Sequence, residues 1–248
     1  MKLFLLIAIS SLCFGLEMRV PADPIRTSII VPCHPAHFPL LEELLTAYQN
    51  QTRLPDEIVI SLSQYNQVSP ALLLALEGKP WPFALKILKH IAKYPPGRNR
   101  NEACAAATGA LIICQDADDL PHPQRVEIIR YLFENYQIDH LLHQWLPSMD
   151  DFHSMSLKGI ENECYTFRVY ENISLPNIHN GSVSFLKTLF EKVHWKPILI
   201  ISEDSIFNRH AYVFCKHKVV LNMPLLKYRG EFSTFDLNGT KGGSLSEN

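Results

Sequence analysis

Several familiar signatures of chemistry are missing from this chain of 248 residues. Its 10 glycines and 17 prolines follow no period, which excludes a collagen-like or repeat array. There is no Walker loop, no Gly-x-Gly-x-x-Gly and no Gly-x-Ser-x-Gly, which argues against P-loop enzymes, dinucleotide-dependent dehydrogenases and serine hydrolases. There is also no Cys-x-x-Cys pair, so a zinc site built from cysteines is not expected.

An excess of charge of either sign is missing as well. The chain has 23 basic and 25 acidic residues, a net charge of −2, so no nucleic-acid partner is predicted. With 47% hydrophobic residues it can bury a large core and does not belong to the disordered class. No linker rich in proline and glycine separates the two halves. We therefore expect one domain over residues 27–236, followed by a disordered tail at 237–248.

The first 15 residues are predicted to be a targeting segment. Lys2 is followed by about a dozen mostly apolar residues that end at the small residue Gly15, a pattern typical of a secretory signal peptide. The run is shorter than the roughly 20 residues of a membrane-spanning helix. A retained short anchor and an ordinary hydrophobic strand are the alternatives. A signal peptide predicts the secretory pathway, in the ER or Golgi lumen or outside the cell. Membrane contact is expected only if the segment remains as an anchor.

Short apolar runs alternate with helical patterns over residues 27–136. This alternation predicts an α/β fold with a mostly parallel sheet flanked by helices, in which ligands bind beyond the carboxyl ends of the strands. The predicted strands are 28–31, 57–62, 83–88 and 110–114, with helices at 38–50, 70–77, 99–107 and from Pro123 to about Tyr136. In the less regular second half we expect strands at 138–144, 164–170 and 218–221, and helices at 184–194 and 203–213.

Three carboxylates, Asp116, Asp118 and Asp119, directly follow the fourth predicted strand. Their mutual repulsion would be relieved by a divalent cation, and hard oxygen ligands suit Mg or Mn. Such a metal can neutralise a diphosphate leaving group. The alternative is a solvated acidic turn that caps the next helix.

Two further groups of charged residues stand at predicted helix starts. Glu203 and Asp204 begin the helix at 203–213, where a carboxylate can act as a general base or simply stabilise the helix dipole. Arg100 follows a Pro-Pro-Gly turn, a place suited to phosphate, although a surface arginine is the alternative. The histidine pairs lack a third ligand at a recognisable spacing, which argues against zinc catalysis; they are His34/His37 and His140/His143.

Taken in order, these pieces resemble the family 2 glycosyltransferases, which have the GT-A fold. The run from Ser28 to His34 resembles the family's first strand and its proline-ended nucleotide loop, and Asp116-Ala117-Asp118-Asp119 resembles its Asp-x-Asp motif. The remaining similarities are Arg100-Asn101 in the preceding helix, Asn180-Gly181 with a helix at 186–193 on the acceptor side, Glu203-Asp204-Ser205 as the acidic pair, and Tyr228-Arg229 with Ser233 near the C-terminus. The resemblance covers about residues 27–233.

The resemblance implies inverting, metal-dependent transfer of a sugar from a nucleotide-diphospho-sugar to an acceptor hydroxyl. It implies that Asp204 is the catalytic base with Glu203 beside it, and that Asp118 and Asp119 bind Mn or Mg. The implied donor-binding residues are Pro32, Cys33, His34, Ser61, Arg100 and Asp116. The donor is expected to be linked to UDP or GDP, and the acceptor to be a glycan, a lipid or a protein. Hexosyl and N-acetylhexosaminyl transfer are both compatible with these motifs.

One position departs from the family pattern. The family usually carries an acid at the end of its second strand, where this chain has Ser61-Leu62-Ser63-Gln64. Ser61 or Ser63 would have to contact the nucleotide instead. This departure favours, as the alternative, a non-catalytic protein of the same fold that binds a sugar or a nucleotide. A nucleotidyltransferase or a diphosphate hydrolase is a third hypothesis, although Pro32-Cys33-His34-Pro35 is not the Gly-rich basic loop typical of nucleotidyltransferases.

Overall fold

A computed structural model describes residues 16–19, 23–149, 152–166, 180–199 and 202–232. Its strands are β1 (Thr27–Cys33), β2 (Glu57–Ser63), β3 (Ala84–His90), β4 (Leu111–Cys114), β5 (Leu120–Pro121), β6 (His140–Leu146), β7 (Cys164–Thr166), β8 (Val183–Leu186) and β9 (Lys218–Lys227). Its α-helices are α1 (Leu41–Gln49), α2 (Pro70–Glu77), α3 (Pro96–Ala106), α4 (Arg125–Asn135), α5 (Lys187–Phe190) and α6 (Glu203–Phe214). The targeting segment and the tail lie outside the described residues.

The nine strands form one mixed sheet in the order β3-β2-β1-β4-β8-β6-β9-β5, with β7 paired to β9. Strands β1 to β4 are parallel, and β6 is parallel to β9. Because β8 is antiparallel to both β4 and β6, those two strands run the same way, and six strands therefore share one direction. The expected α/β fold with a mostly parallel sheet flanked by helices is confirmed.

Successive strand residues point to opposite faces of the sheet, and each face carries its own core. In β1, Ile29 and Val31 pack with helices α1, α2 and α4 on one face, whereas Ile30 packs with α3, α5 and α6 on the other. Both faces are covered, which explains why the strands read as continuous apolar runs rather than as alternating patterns. Within the described residues, no helix is both long enough and apolar enough to cross a membrane.

The predicted elements of residues 27–136 are confirmed within a few residues at each end. The predicted helix at 184–194 is wrong, because Val183–Leu186 form strand β8 and only Lys187–Phe190 are helical. This segment pairs with β4 on one side and with β6 on the other, so sheet pairing outweighs the helical spacing of its apolar residues. Strand β9 is longer than predicted and runs to Lys227.

Candidate active site

The turn between β4 and β5, residues 115–119, is held in place by buried polar side chains. The Gln115 side-chain amide donates to the carbonyl oxygens of Asp116 (2.8 Å) and Asp119 (3.1 Å). The Gln115 side-chain oxygen in turn accepts hydrogen bonds from the Tyr48 hydroxyl (2.9 Å) and from the Arg125 guanidinium. Helices α1 and α4 therefore determine where this acid turn places its carboxylates.

The two neighbouring carboxylates of the acid turn have different surroundings. Asp119 is fully buried, and its Oδ1 accepts a hydrogen bond from the Arg229 backbone N–H at 2.8 Å. Burial, and then the negative charges of Asp116 and Asp118, raise the pKa of Asp119 to about 9. Asp118 is 15% exposed, and its Oδ2 lies 3.9 Å from Nε2 of His37. Asp118 is thus the carboxylate placed to meet a ligand, whereas Asp119 faces inward.

Arg100 connects the acid turn to the start of α6. Its Nη2 donates to Oδ1 of Asp116 at 2.6 Å, and its Nη1 donates to Oε1 of Glu203 at 2.9 Å. Burial lowers the pKa of Arg100, but Asp116 and Glu203 raise it by more, so the guanidinium stays charged. Three predicted site residues that are up to 103 positions apart in the sequence therefore meet at one edge of the sheet.

The acidic pair at the start of α6 divides into an inner and an outer carboxylate. Glu203 is buried, and burial raises its pKa although Arg100 opposes the shift. Asp204 is half-buried, and its Oδ1 accepts the Ser205 N–H at 2.8 Å. The Asn208 side-chain amide donates to the Asp204 carbonyl at 2.9 Å and thus fixes the first turn. Asp204 is therefore the more accessible member of the pair.

The predicted nucleotide loop consists of the last two residues of β1, Pro32 and Cys33, and of the residues that follow the strand. Pro32 and His34 are half-buried, and Nδ1 of His34 accepts the Ala36 N–H at 3.2 Å, which caps the 3₁₀-helix Pro35–Leu40. Cys33 is 1% exposed, and burial raises the pKa of its thiol, so it is a neutral wall residue. Pro32 and His34 are therefore the accessible residues of this segment, whereas Cys33 is buried.

Ser61 lies in the interior, although it stands close to the position of the family's missing acid. Its side chain is fully buried, and its hydroxyl lies 2.9 Å from Oδ1 of Asn99 and 3.1 Å from Nε2 of His90. The His90 ring contacts the Tyr94 ring, with centroids 4.6 Å apart, and the Arg98 guanidinium lies 3.8 Å above that ring. His90 therefore lies next to Ser61, close to the place where the acid was expected, and Tyr94 and Arg98 stack behind it.

Two residues that the sequence left without a site role, His37 and Arg229, join the acid turn to its surroundings. His37 contacts Asp118, as described, and its Nε2 lies 3.0 Å from the Phe232 carbonyl. Arg229 bonds to Asp119 through its backbone, to the Asp118 carbonyl through Nε, and to Oε2 of Glu43 at 2.6 Å. The Tyr228-Arg229 element was the available signal for Arg229, and the His34/His37 pair, weighed above only for zinc, was the available signal for His37.

Asp118 and Asp116 are the carboxylates of the acid turn that keep some solvent exposure. Among the described residues, no group of three histidine, cysteine or acidic side chains is arranged to hold a metal ion. Mg²⁺ is commonly held by only one or two carboxylates together with substrate phosphates. The half-buried oxygens of Asp118 and Asp116 fit a cation that is shared with a diphosphate.

Comparison with known proteins agrees with this geometry. A model of the family "Glycosyl transferase family 2" matches residues 28–194. An uncharacterized glycosyltransferase of Methanocaldococcus jannaschii is 26% identical over 193 residues, which cover 76% of this chain and 65% of that protein.

Solved structures share the fold at lower identity. TarS 1-349 of S. aureus superposes with a TM-score of 0.67 at 18% identity, covering 84% of this chain and 62% of that one; the same protein is also known in complex with UDP-GlcNAc. The mannosyltransferase PcManGT from Pyrobaculum calidifontis, in complex with GDP-Man and Mn²⁺, gives a TM-score of 0.57 at 18% identity, covering 85% and 57%. This chain thus spans less than two thirds of each of these relatives. With a family model that matches most of the described chain and a fold shared with glycosyltransferases, the chain belongs to glycosyl transferase family 2.

Proposed function

We propose that this protein is an inverting glycosyltransferase that moves a sugar from a UDP- or GDP-linked donor to an acceptor hydroxyl and depends on Mn or Mg. The observation that carries the proposal is the Arg100 bridge, which ties Asp116 to Glu203. It brings the acid turn and the outer carboxylate Asp204 to the same edge of the sheet. A transferase needs both parts there, one to hold the leaving diphosphate and one to activate the nucleophile.

The donor is proposed to bind between the acid turn and the carboxyl end of β1 with the loop that follows it. Pro32 and His34 line the base side, and Arg100 supplies a buried positive charge near the diphosphate. Asp118, with Asp116, would hold the cation, which neutralises the charge that develops on the leaving diphosphate. The UDP-GlcNAc bound to TarS and the GDP-Man and Mn²⁺ bound to PcManGT support this class of donor.

Asp204 is proposed as the general base. Its carboxylate takes the proton of the acceptor hydroxyl while that oxygen forms a bond to the anomeric carbon. The bond from the anomeric carbon to the diphosphate breaks at the same time, and its electron pair leaves with the nucleoside diphosphate. Attack opposite the leaving group inverts the anomeric configuration. Glu203 acts as a positioning residue through Arg100, since its carboxylate is buried.

For two predicted site residues the surroundings favour a supporting role. Asp119 orients the Arg229 backbone rather than binding the cation, because it is buried and its Oδ1 accepts the Arg229 N–H. Ser61 holds Asn99 and His90 rather than touching the nucleotide. Asp118 then carries the metal contact predicted for the pair, and His90 is the candidate for the contact predicted for Ser61.

Location and domain limits also belong to the proposal. The apolar N-terminal run supports entry into the secretory pathway, with a single domain over residues 27–236. N-terminal sequencing of protein secreted from eukaryotic cells tests this directly. A mature N-terminus close to residue 16 is expected, whereas an intact Met1 in a membrane fraction would indicate an anchor.

The experiment that tests the donor site is titration calorimetry of UDP and GDP with and without Mn²⁺. We expect Mn-dependent binding of at least one nucleotide, weakened more than tenfold by Asp118→Ala. Glu191→Ala is the matched control, because it removes an exposed carboxylate directly after α5 and should leave the affinity unchanged. Equal affinity without Mn²⁺ would refute metal dependence.

The non-catalytic alternative is favoured by one observation, the absence of an acid at the end of β2. It is distinguished by release of nucleoside diphosphate from UDP-GlcNAc and GDP-Man in the presence of acceptor extracts. Binding without release, by a folded protein, would support the alternative.

A further inference from the structure

Two aromatic side chains lie at the carboxyl ends of β6 and β9, beside the acid turn. The ring centroids of Trp145 and Tyr228 are 5.1 Å apart and their planes are inclined by 60°, and both side chains are half-buried. We call these two residues the aromatic pair. The Tyr228 N–H donates to the Leu146 carbonyl at 2.8 Å, so Tyr228 continues the pairing of β9 with β6.

The aromatic pair is joined to the acid turn through the backbone. Lys227, directly before Tyr228, pairs with Leu120, the first residue after the acid turn. Arg229, directly after it, bonds to Asp118 and Asp119. Tyr228 is therefore held between two attachments to the turn that carries the proposed metal ligand.

Two local features direct these rings. The pairing of β6 with β9 shifts register on either side of Gln144, immediately before Trp145, and such irregularities re-aim side chains near functional sites. A Cβ atom placed on Gly230 would lie 3.1 Å from Cε1 of Tyr228, so the absence of a side chain there leaves space for the ring.

The contact between Trp81 and Phe83 provides a comparison, because those two rings have a structural role only. Trp81 and Phe83 stack almost in parallel, with planes 10° apart, and the Trp81 indole N–H donates to the Leu76 carbonyl at 3.0 Å. That pair closes the end of α2 on the far side of the sheet. The aromatic pair differs because its rings are inclined to each other and lie at the edge where ligands bind in such sheets.

We propose that the aromatic pair binds a pyranose ring of the acceptor, and hence that the acceptor is a glycan. A sugar presents a face of C–H groups that matches the negative face of an aromatic ring, and hydroxyls that match the polar tips of tryptophan and tyrosine. The donor-side residues lie at the carboxyl ends of β1 and β4 and on α3, whereas β8 separates β4 from β6. The site is thus on the other side of the acid turn. Naming its sugar the acceptor rests on the proposed function.

Saturation-transfer NMR with three oligosaccharides, cellotriose, chitotriose and mannotriose, tests the site without any donor. We expect transfer to the ring C–H protons of at least one of them, reduced at least fivefold in Trp145→Leu and in Tyr228→Leu. Trp81→Leu is the matched control and should leave the transfer unchanged. Gly230→Ala should weaken the signal about twofold, since its Cβ displaces the Tyr228 ring by a few tenths of an ångström.

Folding and donor binding are measured on the same variants. Far-ultraviolet circular dichroism and Mn-dependent UDP or GDP calorimetry should match the wild type. Absence of transfer to all three sugars, or an equal signal in both leucine variants, overturns the proposal. An affinity for UDP-GlcNAc or GDP-Man that falls with the sugar signal, while the affinity for UDP and GDP is unchanged, overturns the acceptor assignment and places the donor sugar on the pair. If no nucleotide binds while the sugar signal depends on Trp145, the proposed transferase fails and the glycan site stands.

Discussion

Residues 27–114 and residues 120–227 build their parts of the sheet in different ways. The first region contributes four parallel strands, and six and seven consecutive residue pairs join β1 to β2 and β2 to β3 without a register shift. The second contributes five strands of both directions, with an irregular register between β6 and β9. The regular region presents the proposed donor side, and the irregular one presents the base and the aromatic pair.

Buried arginines join these two regions. Arg100 reaches from α3 to Glu203, and Arg229 reaches from the end of β9 to the acid turn and to Glu43 on α1. Arg125 contacts the Cys114 carbonyl at 2.8 Å and also the Gly181 carbonyl. Because each guanidinium has several fixed donors, it can hold two chain segments in one orientation. The site therefore lies where the two regions meet, and each region can be tested separately.

The largest effect is expected from Asp204→Asn, which removes the proposed base from the irregular region only. Sugar transfer should fall about a thousandfold, within the usual contribution of general base catalysis. Nucleotide affinity should stay within twofold, because the donor side lies in the other region. Steady-state transfer assays and calorimetry measure both, with Glu191→Gln as an exposed control. Loss of nucleotide affinity in Asp204→Asn would contradict the assignment of donor binding and of the base to different regions.

Arg100→Met tests the contact between the two regions. It leaves Asp116 and Glu203 without their buried cation, so the free energy of unfolding should fall by about 3 kcal/mol or more. Arg98→Met is the matched control on the same helix; its side chain is 47% exposed, and a change below about 0.5 kcal/mol is expected. Urea unfolding followed by circular dichroism measures both. Equal losses for the two arginines would show that the bridge is unimportant.

The irregular region also carries a buried histidine that makes its stability depend on pH. Burial lowers the pKa of His140 to about 4, and its Nε2 lies 2.7 Å from Oδ1 of Asn208. The unfolded chain takes up this proton near pH 6.5, whereas the folded chain does so only near pH 4. Stability is therefore lost as the pH falls through that window.

Between pH 7 and pH 5 this single group should cost about 2 kcal/mol relative to His140→Gln. Urea unfolding at the two pH values measures the difference, and the exposed His210 provides the control variant His210→Gln, which should follow the wild type. Identical pH dependence in His140→Gln and the wild type would refute this origin.

The smallest effect is expected in the regular region, where Ser61 either supports neighbouring side chains or contacts the nucleotide. Ser61→Ala removes a hydroxyl shared by Asn99 and His90 and should cost about 1 kcal/mol of stability, with nucleotide affinity within twofold. Ser69→Ala, at an exposed serine, should cost less. A tenfold loss of nucleotide affinity in Ser61→Ala would restore Ser61 as a donor-binding residue.

Prediction from sequence succeeded where one local pattern determines the outcome. The β2 run and the helix Pro70–Glu77 have apolar spacing and preceding or initial prolines that long-range pairing does not override. It failed at Val183–Leu186, because a four-residue apolar segment suits a helix or a strand equally well until neighbours are known. The burial of Asp119 and Ser61 was also not predicted, since burial depends on what packs against a residue.

The sequence by itself determined the parallel half of the sheet, the position of the acid turn after β4 and the start of α6 at Glu203. Each of these follows from the periodicity of apolar residues and from the turn and helix-boundary residues beside them. Only the tertiary structure decided which carboxylates face outward, that Arg100 joins Asp116 to Glu203, and that Trp145 meets Tyr228. These contacts join residues 16 to 103 positions apart in the chain. Their closeness arises from strand order and helix packing, which no local pattern encodes.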